Sequence, residues 1–367
     1  AKYNNSLAAV NVTTGCGGTN AITGLLDAWQ DSVPVIFVSG NVNRPHMAPE
    51  GVRNLGVQEA NIIDIVKPIT KYAVVVNDPE DIEEVMKDAI RIATHGRPGP
   101  VWIDIPMDVQ GAQCFDIESE LRGAKRPLIL AGNGINCAQA RDEFVDFVQR
   151  TNIPVVTSYN AVDLFPSVYS NFVGRVGVKG TRAGNFAMQN CDLLLVIGCR
   201  LSVPVTGYNY TTFAREAKVI VVDIDKDEHS KETVKIDRFI HRDAKDFLNI
   251  NVFDREKTDW NKTCQRWKDQ WPVCPDTNPT EKVDLYYFMK CLNDLKRNDD
   301  VVISDAGSAF YVCAQATDIQ AEQRFITSSS QAEMGFTIPA CIGAAFAKGG
   351  DVIGVTGDGS FMMNLQE

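Results

Sequence analysis

A short acidic turn near the end of the chain carries the clearest chemistry. Gly357-Asp358-Gly359-Ser360 follows Asp351-Val352-Ile353-Gly354-Val355-Thr356 and leads into Phe361-Met362-Met363-Asn364-Leu365-Gln366-Glu367. The stretch before the turn is short and apolar, as a buried strand would be, and the stretch after it suits the first turns of a helix. Glycines on both sides of Asp358 let the backbone turn sharply and come close to a ligand. A helix start offers free N–H groups and a positive dipole end, both suited to a phosphate. Asp358 is then a hard oxygen ligand placed for a Mg²⁺ that bridges to that phosphate. Taken alone, the same residues read more simply as an Asp-Gly turn joining a strand to a helix.

Two other glycine turns follow apolar stretches. Thr14-Gly15-Cys16-Gly17-Gly18-Thr19-Asn20 is the first, and no Gly-Lys-Ser/Thr follows it, which excludes a Walker phosphate loop. Gly132-Asn133-Gly134 is the second. An incomplete Gly-x-Gly of this kind suits a nucleotide and a plain tight turn equally. The 10 cysteines form no Cys-x-x-Cys pair, so reduced thiols in a cytoplasmic enzyme are expected, not a disulfide framework or a zinc site. The four histidines, His46, His95, His229 and His241, show no metal-ligand spacing. A net charge of −11 argues against a nucleic-acid partner, and no apolar run approaches the ~20 residues of a membrane span.

The elements that must position these turns are those of an α/β protein. Residues 4–14 read as a strand, and Ile22, Leu25, Leu26 and Trp29 mark one face of a helix. Residues 33–40 read as the next buried strand. Strand, glycine turn, helix and strand make a βαβ unit, so the sheet should be parallel. A helix is expected over residues 79–94, with Asp78 as N-cap and Pro79 at the first position. Residues 41–57 have no clear period, and a loop that long is often functional. Residues 111–125 read as a linker. Strands at 126–131, 154–157, 191–198 and 219–225, with a helix over 138–149, describe a Rossmann-like central domain. Residues 251–280 read as a second linker packed by Trp260, Trp267 and Trp271. A third domain holds a helix through Leu295, strands at 301–304 and 324–328, and the acidic turn. The fold expected is three doubly wound parallel-sheet domains over 1–115, 125–250 and 281–367, the first and last truncated. The chain opens and closes in mid-element and reads as a piece cut at both ends.

Gln331-Ala332-Glu333-Met334-Gly335-Phe336-Thr337-Ile338-Pro339-Ala340-Cys341-Ile342-Gly343-Ala344-Ala345, followed by the Gly-Asp-Gly turn, resembles the diphosphate-binding domain of the thiamine diphosphate enzymes, in the acetolactate synthase-like group. The resemblance continues through Gly15, Gly17, Thr19 and Asn20 of the first glycine turn, Gly56-Val57-Gln58-Glu59, Lys67-Pro68-Ile69-Thr70-Lys71, and Gly96 to Gln110. It implies thiamine diphosphate and Mg²⁺ as cofactors and a 2-keto acid as substrate. On the family pattern Asp358 ligates the metal. Gly357, Gly359, Ser360, Ala306, Gly307 and Ser308 surround the diphosphate, and Met334 and Gly335 line the pyrimidine. Gly15, Gly17 and Asn20 approach from a partner subunit of a homodimer or homotetramer. The family's central domain binds FAD, ADP or nothing, so Gly132, Asn133, Gly134, Arg200, Asp223 and Asp225 are nucleotide candidates. The family's catalytic glutamate lies upstream of the matched turn and is not in this chain. Gln58 is the one candidate here, Glu50 and Glu59 do not replace it, and the chain alone is expected to be inactive.

Departures from the pattern concern substrate and flavin. Val57 stands where acetolactate synthase has Phe, and Ser308-Ala309 where it has Gln-His. Pro204 stands for the second arginine, which holds an acceptor's carboxylate. Val178-Lys179-Gly180 replaces Met-His-Gly in the FAD-contacting region and weakens the case for FAD. The leading expectation is decarboxylation of a 2-keto acid and/or acyl transfer forming a C–C bond. A C–C hydrolase or keto-sugar ligase of the same family, and a non-catalytic nucleotide-binding or assembly protein, remain open beside it.

Overall fold

The computed structural model describes residues 1–112, 116–250, 254–320 and 322–367. These fall into two compact units, Ala1–Asp116 and Ile117–Glu367. Every strand pairing among the described residues is parallel. No helix among them is long and apolar enough to cross a membrane.

The first unit contains β1 (Ala8–Val12), α1 (Cys16–Asn20), α2 (Ile22–Gln30), β2 (Val35–Asn41), α3 (Ile62–Val66), β3 (Tyr72–Val75), α4 (Ile82–Thr94), β4 (Val101–Pro106) and α5 (Met107–Gln110). Its sheet runs β1-β2-β4-β3. The two central strands are apolar runs buried on both faces, as parallel pairing with helices on each side requires. Phe37 and Trp102 stack between neighbouring strands with ring centroids 5.1 Å apart. Asp78 caps the turn before α4, accepting from the Glu80 N–H, and Val85, Ala89 and Ala93 are the buried stripe of α4.

The second unit carries two sheets. The larger is built from α6 (Ile117–Gly123), β5 (Pro127–Ala131), α7 (Gly134–Cys137), α8 (Arg141–Thr151), β6 (Val155–Thr157), β7 (Phe172–Arg175), α9 (Arg182–Asn190), β8 (Leu193–Ile197), α10 (Val203–Thr206), β9 (Lys218–Asp223), β10 (Arg238–His241), α11 (Ala244–Leu248) and α12 (Asp259–Gln270). Its order, β10-β9-β8-β5-β6-β7, reverses direction between β5 and β8, the switch point of a Rossmann sheet. The smaller sheet belongs to α13 (Leu285–Leu295), β11 (Val301–Ser304), α14 (Gly307–Ala316), β12 (Arg324–Thr327), α15 (Thr337–Lys348), β13 (Ile353–Val355) and α16 (Asp358–Met363), in the order β12-β11-β13.

Several expectations are corrected. The first strand covers only Ala8–Val12, at a sheet edge where its middle residues stay exposed. On α2 the buried residues are Leu25 and Ala28, while Leu26 and Trp29 are exposed. The strand before the acidic turn is not buried: β13 is an edge strand, and Gly354 in its centre is exposed. The expected helix over 138–149 is α8, shifted to Arg141–Thr151 and preceded by the short α7, and the last helix stops at Met363 instead of running out of the chain.

Both expected linkers contain helices. Residues 113–115 and 251–253 lie outside the described residues, but α6 buries Leu121 completely. In α12, Trp260, Cys264 and Trp267 recur at i, i+4 and i+7 and pack into the central core. Thr258 and Asn261 close a capping box at its start, and the Trp260 Nε1–H donates to the Pro127 carbonyl at 2.9 Å. Only one narrow stripe of this helix is apolar, which is why its polar composition hid it.

Candidate cofactor site

The acidic turn and the Asp305-Ala306-Gly307-Ser308 turn come together because β11 and β13 are neighbours. Ser304 pairs with Val355, so both turns leave the carboxyl ends of adjacent parallel strands. Each turn starts a helix without a side-chain cap, which leaves N–H groups of α14 and α16 open. Asp305 ties the two turns together. Its carboxylate accepts from Ser360 Oγ at 2.5 Å, Thr356 Oγ1 at 2.9 Å, the Ala306 N–H at 2.7 Å and the Thr337 N–H at 3.3 Å. Burial alone pushes the Asp305 carboxyl up, but donors from Ser360, Ala306, Thr337 and Thr356 outweigh it and hold the pKa below the usual value.

Met334 and Gly335 join the same group. The Gly335 N–H donates to Ser360 Oγ at 2.7 Å, and Asn364 Nδ2 donates to the Gly335 carbonyl at 2.8 Å. Gly335 has a φ of 87°, and a Cβ there would come within 2.8 Å of Asn364 Nδ2. A Cβ on Gly359 would lie 3.2 Å from Met334 Cε. The structure therefore gathers Gly357, Gly359, Ser360, Ala306, Gly307, Ser308, Met334 and Gly335 around Asp305. The role of Asp305 was missed in sequence, although both turns end in Gly-Ser after an aspartate, Asp305-Ala306-Gly307-Ser308 and Asp358-Gly359-Ser360.

Asp358 is exposed at the start of α16, and its Oδ1 accepts from the Gly359 N–H at 2.8 Å. Among the described residues no cluster of three or more His, Cys, Asp or Glu could hold a metal ion. A single exposed carboxylate is still a fit for Mg²⁺, which uses one or two carboxylates and takes its other oxygens from phosphate and water.

In the first unit, the glycine turn meets Gln58. Gly15 has a φ of 63°, and a Cβ on it would lie 2.4 Å from the Gln58 carbonyl oxygen. Thr14 Oγ1 donates to that oxygen at 3.0 Å. Gly17 lies in α1 against Thr13, and Asn20 is exposed at the end of α1. Beneath them sits a buried carboxylate, Asp104, which accepts from Ser39 Oγ at 2.5 Å and Asn41 Nδ2 at 2.6 Å.

In the central sheet the switch point is closed by backbone. The Gly132 N–H donates to the Ile197 carbonyl and the Gly134 N–H to the Gly198 carbonyl, both at 2.9 Å. A Cβ on Gly132 would lie 2.1 Å from the Gly198 oxygen. These glycines are explained by close packing of two turns. A cavity of about 160 Å³ beside them is lined by Asn133, Gly134, Arg200, Pro204 and Asp223, with Ser329 and Ser330 opposite. Arg200 Nη2 donates to Ser330 Oγ at 2.5 Å. Burial pushes the Asp223 carboxyl up, but His229, 3.3 Å away, and the Asp225 N–H bring its pKa below the usual value. Asp225 does not line the cavity.

Three all-parallel α/β sheets with glycine turns at their strand ends define the class of doubly wound α/β proteins, whose ligands bind outside the carboxyl ends of the strands. Three family models match the chain. "Thiamine pyrophosphate enzyme, N-terminal TPP binding domain" matches residues 1–64, "Thiamine pyrophosphate enzyme, central domain" residues 116–250, and "Thiamine pyrophosphate enzyme, C-terminal TPP binding domain" residues 305–367. The chain is 34% identical to the acetolactate synthase isozyme 2 large subunit of Escherichia coli K12, over 97% of this chain and 67% of that protein. It is 34% identical to a probable acetolactate synthase large subunit of Methanocaldococcus jannaschii, over 97% and 66%, and 32% identical to the acetolactate synthase large subunit of Lactococcus lactis, over 100% and 68%. The chain thus spans about two thirds of the length of these relatives. It belongs to the thiamine pyrophosphate-dependent enzymes, in the acetolactate synthase-like group.

Proposed function

We propose that the complete protein decarboxylates a 2-keto acid and transfers the resulting acyl unit to form a C–C bond, using thiamine diphosphate held through Mg²⁺ at Asp358. Its domains are then those of residues 1–115, 125–250 and 281–367. The observation that carries this reading is the pairing of the 305–308 and 357–360 turns across Asp305 at adjacent strand ends. Bound there, the cofactor supplies an electron sink for the bond next to the keto acid's carbonyl. The chain's own residues bind and orient. Asp358 offers the metal an oxygen, and the open N–H groups at the starts of α14 and α16 meet diphosphate oxygens. Met334 lies beside Gly359, as a side chain lining the pyrimidine would. Gly15, Gly17 and Asn20 serve the pyrimidine end from another subunit of a homodimer or homotetramer. Asp358→Ala should abolish calorimetric binding of thiamine diphosphate with Mg²⁺ to the complete protein. Binding equal to the parent's would show that the anchor lies elsewhere.

In this reading Gly132 and Gly134 of the central domain hold no nucleotide phosphate, because their N–H groups are spent on backbone. Pro204 shapes the acceptor. It sits in the first turn of α10, and its carbonyl accepts from the Val178 N–H at 2.9 Å. Proline has no side-chain donor for a second keto acid's carboxylate, and losing a charged hydrogen bond weakens selection about ten- to a hundredfold. The complete enzyme should convert pyruvate alone to acetolactate poorly and give more product with an added aldehyde or keto-sugar. Product analysis that finds efficient acetolactate formation, with no gain from any added acceptor, would remove this part of the proposal.

A further inference from the structure

The long stretch between β2 and α3 is held by carboxylates. At its start Asn41 is fixed on Asp104. Arg44 follows, its N–H donating to Asp108 Oδ1 at 2.9 Å and its Nε to Asp108 Oδ2 at 2.7 Å. At its end stands Glu59, whose carboxylate accepts from the backbone N–H groups of Ala48, of Leu55 at 2.6 Å and of Gly56 at 3.2 Å. The Leu55 and Ala48 donors hold the Glu59 carboxyl below the usual glutamate range. Glu59 therefore gathers both arms of this loop onto one side chain, and three N–H donors on one acceptor form an anion cradle.

The residue next to this anchor is under backbone strain. Gln58 has a φ of 63°, a left-handed conformation that costs a non-glycine residue free energy. Its carbonyl lies where a Cβ on Gly15 would be, and Thr14 Oγ1 holds it there. Gln58 is thus clamped between the glycine turn on one side and the Glu59 cradle on the other. A strained, exposed polar side chain fixed from both sides against a glycine turn is a presented side chain.

We propose that Glu59 is a positioning residue, whose ionised carboxylate organises the 42–57 loop so that Gln58 is presented to the substrate at the Gly15 turn. The inference rests on the proposed function for what Gln58 is presented to, and on geometry alone for the anchor. An amide at position 59 keeps one acceptor oxygen, and a methyl group keeps none. The order of activity is therefore parent, Glu59→Gln, Glu59→Ala.

The complete protein and its Glu59→Gln and Glu59→Ala variants test this. Hydrogen exchange without cofactor should show the Ala48, Leu55 and Gly56 amides protected in the parent and exposed in Glu59→Ala. Protection should return with excess formate, which refills the anion cradle, and not with neutral formamide. With cofactor, kcat should fall about tenfold in Glu59→Gln and further in Glu59→Ala, with thiamine diphosphate affinity unchanged and formate restoring part of kcat. Equal kcat in the parent and Glu59→Ala overturns the inference, and so does a kcat loss that formate and formamide repair alike. A parent that binds no thiamine diphosphate sinks the proposed function instead, a failure seen before any variant is made.

Discussion

Asp305 shows how one buried carboxylate can gather two turns around itself. It is fully buried, and no cation stands within salt-bridge distance of it among the described residues; hydroxyl and N–H donors satisfy it instead. Removing one partner of such a group leaves buried donors orphaned, at about 1–3 kcal/mol each. Asp305→Asn keeps the shape but loses one acceptor oxygen, so it should lower stability by roughly 2 kcal/mol in urea unfolding at neutral pH. The sign of the pH effect follows from the direction of the shift. A carboxyl whose folded pKa is depressed stabilises above its unfolded value, near 3.9, and loses that contribution as pH falls through its folded value. The gap between parent and variant should therefore begin to narrow only below about pH 4 and close once pH falls below the folded value. An Asp305→Asn variant as stable as the parent at neutral pH would contradict the assigned role.

At the scale of elements, the carboxyl end of α14 is where the two sheets of the second unit are fastened. Arg175, at the end of β7, donates from Nη1 to the Gln315 carbonyl at 3.1 Å and from Nη2 to the Thr317 carbonyl at 2.7 Å. Asn293 Nδ2 donates to the Ala316 carbonyl at 2.7 Å, and Lys296 Nζ to the Asp318 carbonyl at 2.5 Å. The Gln315 and Ala316 carbonyls are among those that a helix leaves open at its last turn, and the cations suit its negative dipole end. Burial pushes the Arg175 guanidinium down to about 10, so it keeps its charge at neutral pH. Asp163 adds a second tie, accepting from Arg324 Nε at 2.6 Å, and Tyr159 packs edge-on against Phe310. Arg175→Gln should cost roughly 3 kcal/mol, in the range for breaking a buried charged contact. Calorimetry should show the second unit melting in one step in the parent and in two in the variant. A single unshifted transition in the variant would mean that the other ties suffice.

At the scale of the molecule, the parallel α/β class was legible in sequence, while the order of strands within each sheet was decided by the fold. Buried parallel strands are continuous apolar runs, such as Leu193–Ile197, and these stand out from any polar surround. Glycines in the turns after strands were legible too, because Gly15 and Gly307 occupy backbone conformations that other residues resist. What the sequence left hidden has a common cause. Helix α12 buries only one stripe, so its composition resembles that of a loop, and the edge position of β13 could not be read from its apolar residues. The central Gly-x-Gly allowed a nucleotide or a tight turn, and only the approach of Gly198 to Gly132 showed backbone filling the space. Glu59 and Asp305 were ordinary acidic residues until folding brought their donors to them, from Ala48 in one case and from Thr356 and Ser360 in the other. Residue type and local spacing determine elements, because those depend on neighbours along the chain. The acceptor of a hydrogen bond is decided by tertiary structure, because it depends on neighbours in space that the chain order does not bring together.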